Sequence, residues 1–240
     1  MVKVMGLAAL GLSRPEPLRR LWQHTLQLYF RLFQRHRHER LVLERLSGRD
    51  IVVLAGVMNP VLFRTGAFLV ETLQQGWIPA GASVLDMGTG SGIGAIVAAQ
   101  WSGRVMAVDL NPEAVRCAQI NCLLNRVEDR VRLGQGDLFA PVGEEKFDVI
   151  LFNPPFFRGR PQTNDGFSLA WQSESVMERF PAELRGHLTP AGYALVILSS
   201  HGETPAFLQA FQSHHFQPQI IAQRDLLNEI LTIYQISNNS

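Results

Sequence analysis

The sequence predicts an α/β fold built on a doubly wound, mostly parallel sheet of seven strands. From Ser83 onward, apolar runs of strand length alternate with longer segments whose apolar residues recur at helical spacing. Strands that alternate with helices pair in parallel through right-handed crossovers, which place helices on both faces of the sheet. The last two predicted strands follow one another across a short turn, so we expect them to pair antiparallel at one edge.

The elements in front of this alternation are predicted from the same signals. Residues 17–46 have apolar side chains at helical spacing with arginines between them, which indicates one or two helices that Ser47-Gly48 ends. A short strand over residues 51–57 and a turn at Asn59-Pro60 follow. A helix is then expected over residues 65–75.

The alternating part of the chain supplies the sheet and its helices. The predicted strands cover residues 83–87, 105–110, 131–135, 147–152, 193–199, 218–223 and 230–236. The predicted helices cover residues 93–101, 112–125, 169–187 and 205–214. Pro112 stands at a favoured first helical position, whereas Pro181 is expected to break or kink its helix.

Length and composition allow one large domain and a small appendage. The 240 residues are 46% hydrophobic, which is enough for one sizeable core. Residues 1–50 carry a net charge of +6, whereas residues 51–240 carry −5. We therefore predict a basic helical accessory module over residues 1–50 and the main domain over residues 51–240. The basic module fits either an anionic partner such as nucleic acid or a solvated helix face.

Neither a disulfide, a membrane span, an export signal nor a metal site is expected. Cys117 and Cys122 are five residues apart on a predicted helix and do not share a face, which fits a reducing cytoplasm. Residues 1–12 lack a hydrophobic region with a cleavage site. No run approaches the roughly 18–20 apolar residues of a membrane span. The cluster Arg35-His36-Arg37-His38 has no third type of metal ligand nearby, and it fits phosphate attraction or a solvated helix end.

A glycine-rich loop joins the strand over residues 83–87 to the next helix. Its sequence, Asp86-Met87-Gly88-Thr89-Gly90-Ser91-Gly92-Ile93-Gly94, has glycine at four alternate positions, which lets a ligand approach the backbone closely. In an open α/β sheet, ligands bind beyond the carboxyl ends of the strands. A tight strand-to-helix turn explains one or two glycines but not four, so the loop is predicted to bind a cofactor.

Three acidic residues indicate which class of cofactor the loop binds. The pattern G-x-G-x-x-A at Gly90–Ala95 also fits the dinucleotide fingerprint, so the glycines alone decide little. Asp86, at the mouth of the loop, would repel a pyrophosphate and attract an ammonium group. Asp109 could accept from ribose hydroxyls, and Asp137 could accept from an adenine amine. With no Lys or Arg nearby for phosphates, the pattern fits S-adenosylmethionine better than NAD.

The residues Asn153-Pro154-Pro155-Phe156 follow the apolar strand over residues 147–152. Two consecutive prolines fix φ, remove two backbone donors and disfavour helix in the residues before them, so the segment must be a rigid loop. Such a loop holds an amide, a backbone carbonyl and an aromatic ring in one arrangement. That arrangement suits a planar amino group, because the carbonyls accept its N–H groups and the ring covers its flat face.

The glycine loop, the acidic strand ends and the Asn-Pro-Pro-Phe loop together resemble the class I S-adenosylmethionine-dependent methyltransferases. The resemblance covers residues 51–240 and is to the branch that includes release-factor glutamine methyltransferases and adenine and guanine amino-methyltransferases. It implies a Rossmann-like methyltransferase fold and S-adenosylmethionine as cofactor. It also implies cofactor contacts from Asp86, Gly88, Thr89, Gly90, Gly92, Asp109, Leu110, Asp137, Leu138 and Asn153.

By the same resemblance, the reaction is methylation of an sp² amino or amide nitrogen. Asn153 and Pro154 would orient this nitrogen through their oxygens, and no general base is evident beside them. Phe156 would stack on the target, unless Phe156 packs in the core instead. Secondary candidates for substrate contact are Pro155, Phe157 and Arg158.

The resemblance leaves the substrate open. The segment 59–66 is similar to a Pro-containing motif of the glutamine methyltransferase group, which implies that Phe63, Arg64 and Thr65 cover the cofactor. A macromolecular substrate is expected, either a protein glutamine or an adenine or guanine amine of RNA or DNA. The alternatives are a small-molecule methyltransferase and a non-catalytic cofactor-binding scaffold subunit. No membrane partner is expected, and the oligomeric state is not predicted.

Overall fold

Seven strands form one sheet, and a two-stranded hairpin precedes it in the chain. The computed structural model describes residues 40–73, 76–155, 176–226 and 229–238. The hairpin strands are β1 Val42–Leu46 and β2 Arg49–Val53. The sheet strands are β3 Ser83–Met87, β4 Arg104–Asp109, β5 Val131–Gln135, β6 Phe147–Phe152, β7 Leu188–Ser199, β8 Phe216–Asp225 and β9 Ile230–Asn238.

The pairing of the strands confirms the predicted doubly wound, mostly parallel sheet. The spatial order is β5-β4-β3-β6-β7-β9-β8. Leu85 in β3 lies opposite Met106 of β4 and Ile150 of β6, both in parallel register. β9 pairs antiparallel with both β7 and β8, as expected of the last two strands. The strand order reverses between β3 and β6, and such a reversal opens a crevice at the carboxyl ends of these strands.

Five α-helices lie within the described ranges, and they form two layers around the sheet. They are α1 Arg64–Leu73, α2 Ile93–Ala98, α3 Pro112–Leu124, α4 Val176–His187 and α5 Thr204–Ser213. One apolar cluster joins α1, α2 and α3 to the sheet, and a second joins α4 and α5 to it. Pro112 stands at the start of α3 as predicted, and the side chain of Asn111 caps this helix by accepting from the Glu113 N–H at 3.0 Å.

The predicted break at Pro181 is wrong, because α4 continues through this residue, and the alternative of a kink stays a prediction. The helix runs without interruption from Val176 to His187 with Pro181 inside it. A proline within a helix costs about 3 kcal/mol through a lost hydrogen bond and a steric clash. Phe180 and Leu184 are fully buried on the inner face of α4, and their burial offsets this cost.

The hairpin corrects the predicted helix over residues 17–46 at its end. Residues 42–46 form β1, which pairs antiparallel with β2 so that Leu46 lies opposite Arg49. Ser47 and Gly48 have φ values of 52° and 75°, the positive values that two-residue hairpin turns need. Ser47-Gly48 is therefore a strand-to-strand turn and not the helix end that the sequence pattern predicts. Residues 1–39, including the Arg35–His38 cluster, lie outside the described residues, and the division at residue 50 stays a prediction.

Cys117 and Cys122 are both buried and free. Burial raises the pKa of each thiol to about 11. Among the described residues, no helix is long and apolar enough to cross a membrane.

Candidate functional site

A cavity of about 340 Å³ lies in the crevice at the carboxyl ends of β3, β4 and β6. Its volume is within the range of about 300–1,000 Å³ that small-molecule sites occupy. The loops that follow four neighbouring strands supply most of its wall, and α1, the segment before it and the first turns of α2, α3 and α4 supply the rest. Nine of the ten residues predicted to contact the cofactor line it: Asp86, Gly88, Thr89, Gly90, Asp109, Leu110, Asp137, Leu138 and Asn153.

Gly92, the tenth predicted contact, is not among the described residues that line the cavity. It lies on the side of the glycine loop that packs against α3. It has a φ of 83°, and a Cβ built on it would lie 2.9 Å from the Cα and Cβ of Ala118 in α3. Neither the backbone conformation nor the space tolerates a side chain there. Gly92 therefore lets the loop pack against α3, which fixes the loop in place under any ligand.

The carboxylate of Asp86 lies beneath the glycine loop. Its Oδ2 accepts from the Thr89 hydroxyl at 2.6 Å and from the Ala95 N–H at 2.9 Å. Gly94 leaves room for the carboxylate, since a Cβ there would lie 2.7 Å from Oδ1. Burial raises the pKa of Asp86 to about 6, the two hydrogen bonds oppose this rise, and the nearby charge of Asp109 adds to it. The sequence placed Asp86 at the mouth of the loop, whereas the structure gives it a buried position from which it holds the loop.

Asp109 ends β4 and holds the outer side of the same loop. Its Oδ2 accepts from the Gly90 N–H at 2.9 Å, and its Oδ1 accepts from the Asn111 N–H at 2.9 Å. Burial raises the pKa of this carboxyl group, and the backbone hydrogen bonds oppose the rise. The Leu110 N–H also interacts with this carboxylate. A carboxylate has about four acceptor positions, so Asp109 can still accept a further hydrogen bond from a ligand in the cavity.

An ion pair joins Asp137 to α4, and no local feature of the sequence predicts this contact. Arg179 Nη1 lies 2.6 Å from Asp137 Oδ2 and its Nε lies 3.4 Å from Glu183 Oε1. The Asp137 hydrogen bond is the main reason that the pKa of Arg179 is raised. Leu138 follows with a φ of 46°, an uncommon value for a residue other than glycine, and its side chain lines the cavity. The ion pair thus fixes the strained loop that forms one side of the wall.

Asn153, directly after β6, lines the cavity and has a buried acceptor without a partner in the described part of the chain. Its Nδ2 donates to Oγ1 of Thr65 at 3.3 Å. Its Oδ1 is buried and has no hydrogen-bond partner among the residues that the structure describes. A buried carbonyl oxygen without a partner costs free energy, so its persistence in a cavity wall indicates that a ligand supplies the missing donor.

The rest of the loop after β6 is described only in part. Pro155 lines the cavity, whereas Pro154 is buried and is not among the lining residues. Phe156, Phe157 and Arg158 lie outside the described residues. Their predicted roles in stacking and substrate contact stay predictions.

The segment before α1 approaches the cavity through residues other than those that the sequence indicated. Met58 and Pro60 line it, as do Gly66, Leu69 and Val70 of the helix. Phe63 and Arg64 are not among the lining residues of the described chain, and Thr65 reaches the site through Asn153. The turn that the sequence predicts at Asn59-Pro60 is present. The Asn59 side chain forms the turn by accepting from the N–H groups of Val61 and Leu62 at 2.9 and 3.2 Å.

Asn121 fixes the glycine loop to the hairpin from below. Its Nδ2 donates to the carbonyls of Ser91 and Val52 at 2.8 and 2.7 Å, and its Oδ1 accepts from the Val52 N–H at 2.7 Å. The side chain is fully buried on α3. The loop, the helix and the hairpin therefore form one rigid support for the cavity.

The charged side chains in the cavity wall are acidic, and the one basic partner described above, Arg179, pairs with Asp137 beside the wall. Asp86, Asp109 and Asp137 line it, and no Lys or Arg lines it among the described residues. Such a wall disfavours phosphate groups and favours a cationic ligand with hydroxyl and amine donors.

Comparison with known sequences gives one family and several relatives. The model of the methyltransferase small domain matches residues 64–219. The release factor glutamine methyltransferase of Geobacter sulfurreducens is 36% identical over 115 residues, which cover 47% of this chain and 39% of that protein. A tRNA1(Val) (adenine(37)-N6)-methyltransferase of Actinobacillus pleuropneumoniae is 42% identical over 77 residues, 31% of this chain and 33% of that protein. The chain thus spans well under half the length of these two curated relatives.

Comparison with solved structures supports the same fold. The ribosomal protein L11 methylase of Lactobacillus delbrueckii superimposes with a TM-score of 0.57 at 24% identity, over 74% of this chain and 79% of that one. Trm5 of Methanocaldococcus jannaschii, solved in complex with adenosine, gives a TM-score of 0.62 at 16% identity, over 84% of this chain and 57% of that one. The sheet and its surrounding helices are therefore those of the Rossmann-like methyltransferases.

Proposed function

The chain belongs to the methyltransferase small domain family, and on that premise we propose that it transfers a methyl group from S-adenosylmethionine to an amino or amide nitrogen of a macromolecule. One observation carries the proposal. Asn153 Oδ1 is a buried acceptor with no partner among the described residues, and it lies in the wall of an acidic cavity. A nitrogen that carries N–H groups is the donor that this oxygen lacks.

The cavity wall fits the proposed cofactor. Asp109 accepts from three backbone N–H groups and retains acceptor capacity, so it can accept from a ribose hydroxyl while it still holds the glycine loop. Asp86 places a negative charge beneath the loop, where it attracts an ammonium group. Asp137 and Leu138 form the side of the cavity that would hold the adenine. S-adenosylmethionine supplies a methyl group that is already activated on a sulfonium sulfur.

The residues of the chain then have to hold and orient the nitrogen. The lone pair of an amide or aryl amine is delocalised, which makes the nitrogen a poor nucleophile. Asn153 Oδ1 can accept one N–H group. We propose the Pro154 carbonyl as the second acceptor, although Pro154 is not among the described residues that line the cavity, so that the lone pair is aimed at the methyl group. The same two acceptors stabilise positive charge as it develops on the nitrogen. The proton can leave to water afterwards, so this arrangement requires no general base.

Rigid packing at the end of β6 supports this positioning. Phe152 is 3% exposed, and its ring centroid lies 4.3 Å from that of Phe180 in α4. Asn153 and Pro154 follow directly on this buried strand, and the prolines restrict the backbone. Positioning of a nucleophile in this way is the main contribution a protein can make when the transferred group is already activated.

The names of the relatives narrow the class of nitrogen. They include glutamine methyltransferases of a release factor and of ribosomal protein uL3, and an adenine-N6 methyltransferase of tRNA1(Val). Glutamine and adenine both offer a planar nitrogen with two hydrogens. We therefore propose a protein glutamine or a nucleobase amine as the target.

We also propose that the protein works in a reducing cytoplasm, which its two free cysteines support.

Methyl transfer from tritiated S-adenosylmethionine into an extract of cells that lack this protein tests the proposal. Separate samples are treated with nuclease, with protease or by passage through a small-pore filter. Label that only nuclease releases identifies nucleic acid, and label that only protease releases identifies protein. Label in the filtrate supports a small-molecule substrate instead. Binding of the cofactor without any transfer would contradict the proposal in favour of a scaffold subunit.

A further inference from the structure

We propose that Thr65 is a positioning residue, which holds the amide of Asn153 so that its oxygen faces the substrate. This role rests on the proposed methyl transfer. The Asn153 Nδ2 donates to the Thr65 hydroxyl oxygen at 3.3 Å, and this contact joins residues 88 positions apart. The Asn153 Oδ1 keeps no partner among the described residues.

The direction of the amide decides whether Asn153 can act. An asparagine side chain has an acceptor at one end and a donor at the other. A target amino group brings N–H donors, so an amide turned the other way would set donor against donor. Because Thr65 takes the Nδ2 end, the Oδ1 end is left for the cavity.

Thr65 is itself held firmly. Thr65 is 5% exposed, and it is the second residue of α1. The helix is fixed to the sheet by Phe68, over whose ring the Arg224 guanidinium lies at 4.4 Å, and by Glu71, which pairs with Arg224 at 2.7 Å. The Thr65 hydroxyl is therefore a fixed point rather than a mobile surface group.

A second threonine on α1, Thr72, has a hydroxyl that bonds within the helix and so serves for comparison with Thr65. Thr72 is 1% exposed, and its hydroxyl donates to the Phe68 carbonyl at 2.8 Å within the helix. The Thr65 hydroxyl instead reaches across to the loop after β6. Thr72 does not line the cavity of the described chain, so it provides a matched control.

Three variants test the proposal: Thr65→Val, Thr65→Ser and Thr72→Val. Valine keeps the shape of threonine but removes the hydroxyl, whereas serine keeps the hydroxyl. The initial rate of tritium transfer is measured at saturating S-adenosylmethionine, with the extract fraction that the natural protein labels. Affinity for S-adenosylhomocysteine is measured by calorimetry.

The expected result separates the rate from cofactor binding. Loss of one hydrogen bond that orients a reacting group lowers the rate of Thr65→Val by about 10-fold. Affinity for S-adenosylhomocysteine stays within about 2-fold, and Thr65→Ser recovers most of the rate. Thr72→Val transfers label at the natural rate. A normal rate in Thr65→Val, an equal loss in Thr72→Val, or a loss of cofactor affinity alone would overturn the positioning role.

If no extract fraction is labelled, that result counts against the proposed methyl transfer but not against the contact between Thr65 and Asn153. A measurement without substrate therefore tests this contact by itself. The side-chain NH₂ signals of Asn153 are assigned in an NMR spectrum by their absence in Asn153→Ala. Their exchange with solvent should be slow in the natural protein and in Thr65→Ser, and several-fold faster in Thr65→Val. Unchanged exchange in Thr65→Val would show that the hydroxyl does not hold the amide.

Discussion

The substitution Gly92→Ala should destabilise the fold more than the same change at Gly90, two residues earlier in the glycine loop. Both glycines have a positive φ, 83° and 55°, so alanine is strained at either position. A Cβ at Gly92 would also lie 2.9 Å from the Cα and Cβ of Ala118, whereas a Cβ at Gly90 meets no atom of the described chain within 4 Å. The pair therefore separates backbone strain from a steric clash.

The expected magnitudes follow from these two costs. The left-handed conformation costs an alanine about 1–2 kcal/mol, which is the whole effect expected for Gly90→Ala. The clash with Ala118 adds about 1–3 kcal/mol, the usual cost of an extra methyl group in a packed interior. The contact atoms are the Cα and Cβ of Ala118, which the backbone of α3 holds in place, so a change of rotamer cannot relieve the clash. Gly92→Ala should thus lose about 2–5 kcal/mol.

Urea denaturation of both variants and the natural protein, without ligand, measures the difference. The midpoint of Gly92→Ala should fall well below that of Gly90→Ala, with similar m-values. Equal midpoints would refute the close approach of the loop to α3. So would a Gly92→Ala variant that is as stable as the natural protein.

Two further predictions concern the acidic residues of the site. Asp86 has a folded-state pKa of about 6 against 3.8 for the free side chain. Its stabilising contribution is therefore complete below pH 3.8 and is lost as the pH rises through 6, by up to about 3 kcal/mol. Urea denaturation between pH 4 and 7 should show this loss in the natural protein and not in Asp86→Asn, and parallel pH profiles would contradict it. Arg179→Met should weaken S-adenosylhomocysteine binding several-fold in calorimetry but change stability by under about 1 kcal/mol, because the Asp137 pair is partly exposed. Arg132→Met, which breaks a similar pair with Glu145, is the control, and equal affinities of the two variants would exclude a role for Arg179.

The sheet could be predicted closely because its central strands, such as β3 and β6, are mainly buried and apolar, and turn residues flank the strands. Ser83–Met87, Val131–Gln135 and Phe147–Phe152 were predicted with the bounds that the structure has. Each is a short apolar or mixed run between turn residues, a pattern that needs no knowledge of distant contacts. β7 begins at Leu188, five residues before the predicted start at residue 193. Pro190 and Gly192 are typical of turns, but the strand continues through both of them.

The hairpin was missed because local signals are ambiguous there. Ser47-Gly48 ends a helix or turns a hairpin equally well, and the difference depends on packing. Leu46 and Ile51 are buried in the cluster that includes α3, and Asn121 binds both polar backbone groups of Val52. None of these contacts is visible in the local sequence.

The residues of the candidate site that follow strands could be predicted from the sequence. Asp86, Asp109 and Asn153 lie at or just after the ends of three neighbouring strands, so the strand order alone brought them together. Thr65 and Arg179 reach the site from helices far away in the sequence. Their partners, Asn153 and Asp137, could be identified only once the helices were placed against the sheet.

The role of Asn153 as the acceptor for the target nitrogen is tested most directly by the substitution Asn153→Ala. The rate of methyl transfer and the affinity for S-adenosylhomocysteine are measured together on the same preparation. Removal of one preorganised hydrogen-bond partner of a reacting group costs about 10²–10³ in rate. The rate should fall by this factor while the affinity changes by less than about 3-fold, because the carboxylates and the glycine loop are untouched. A variant that transfers methyl groups at the natural rate would contradict the role of Asn153 as acceptor.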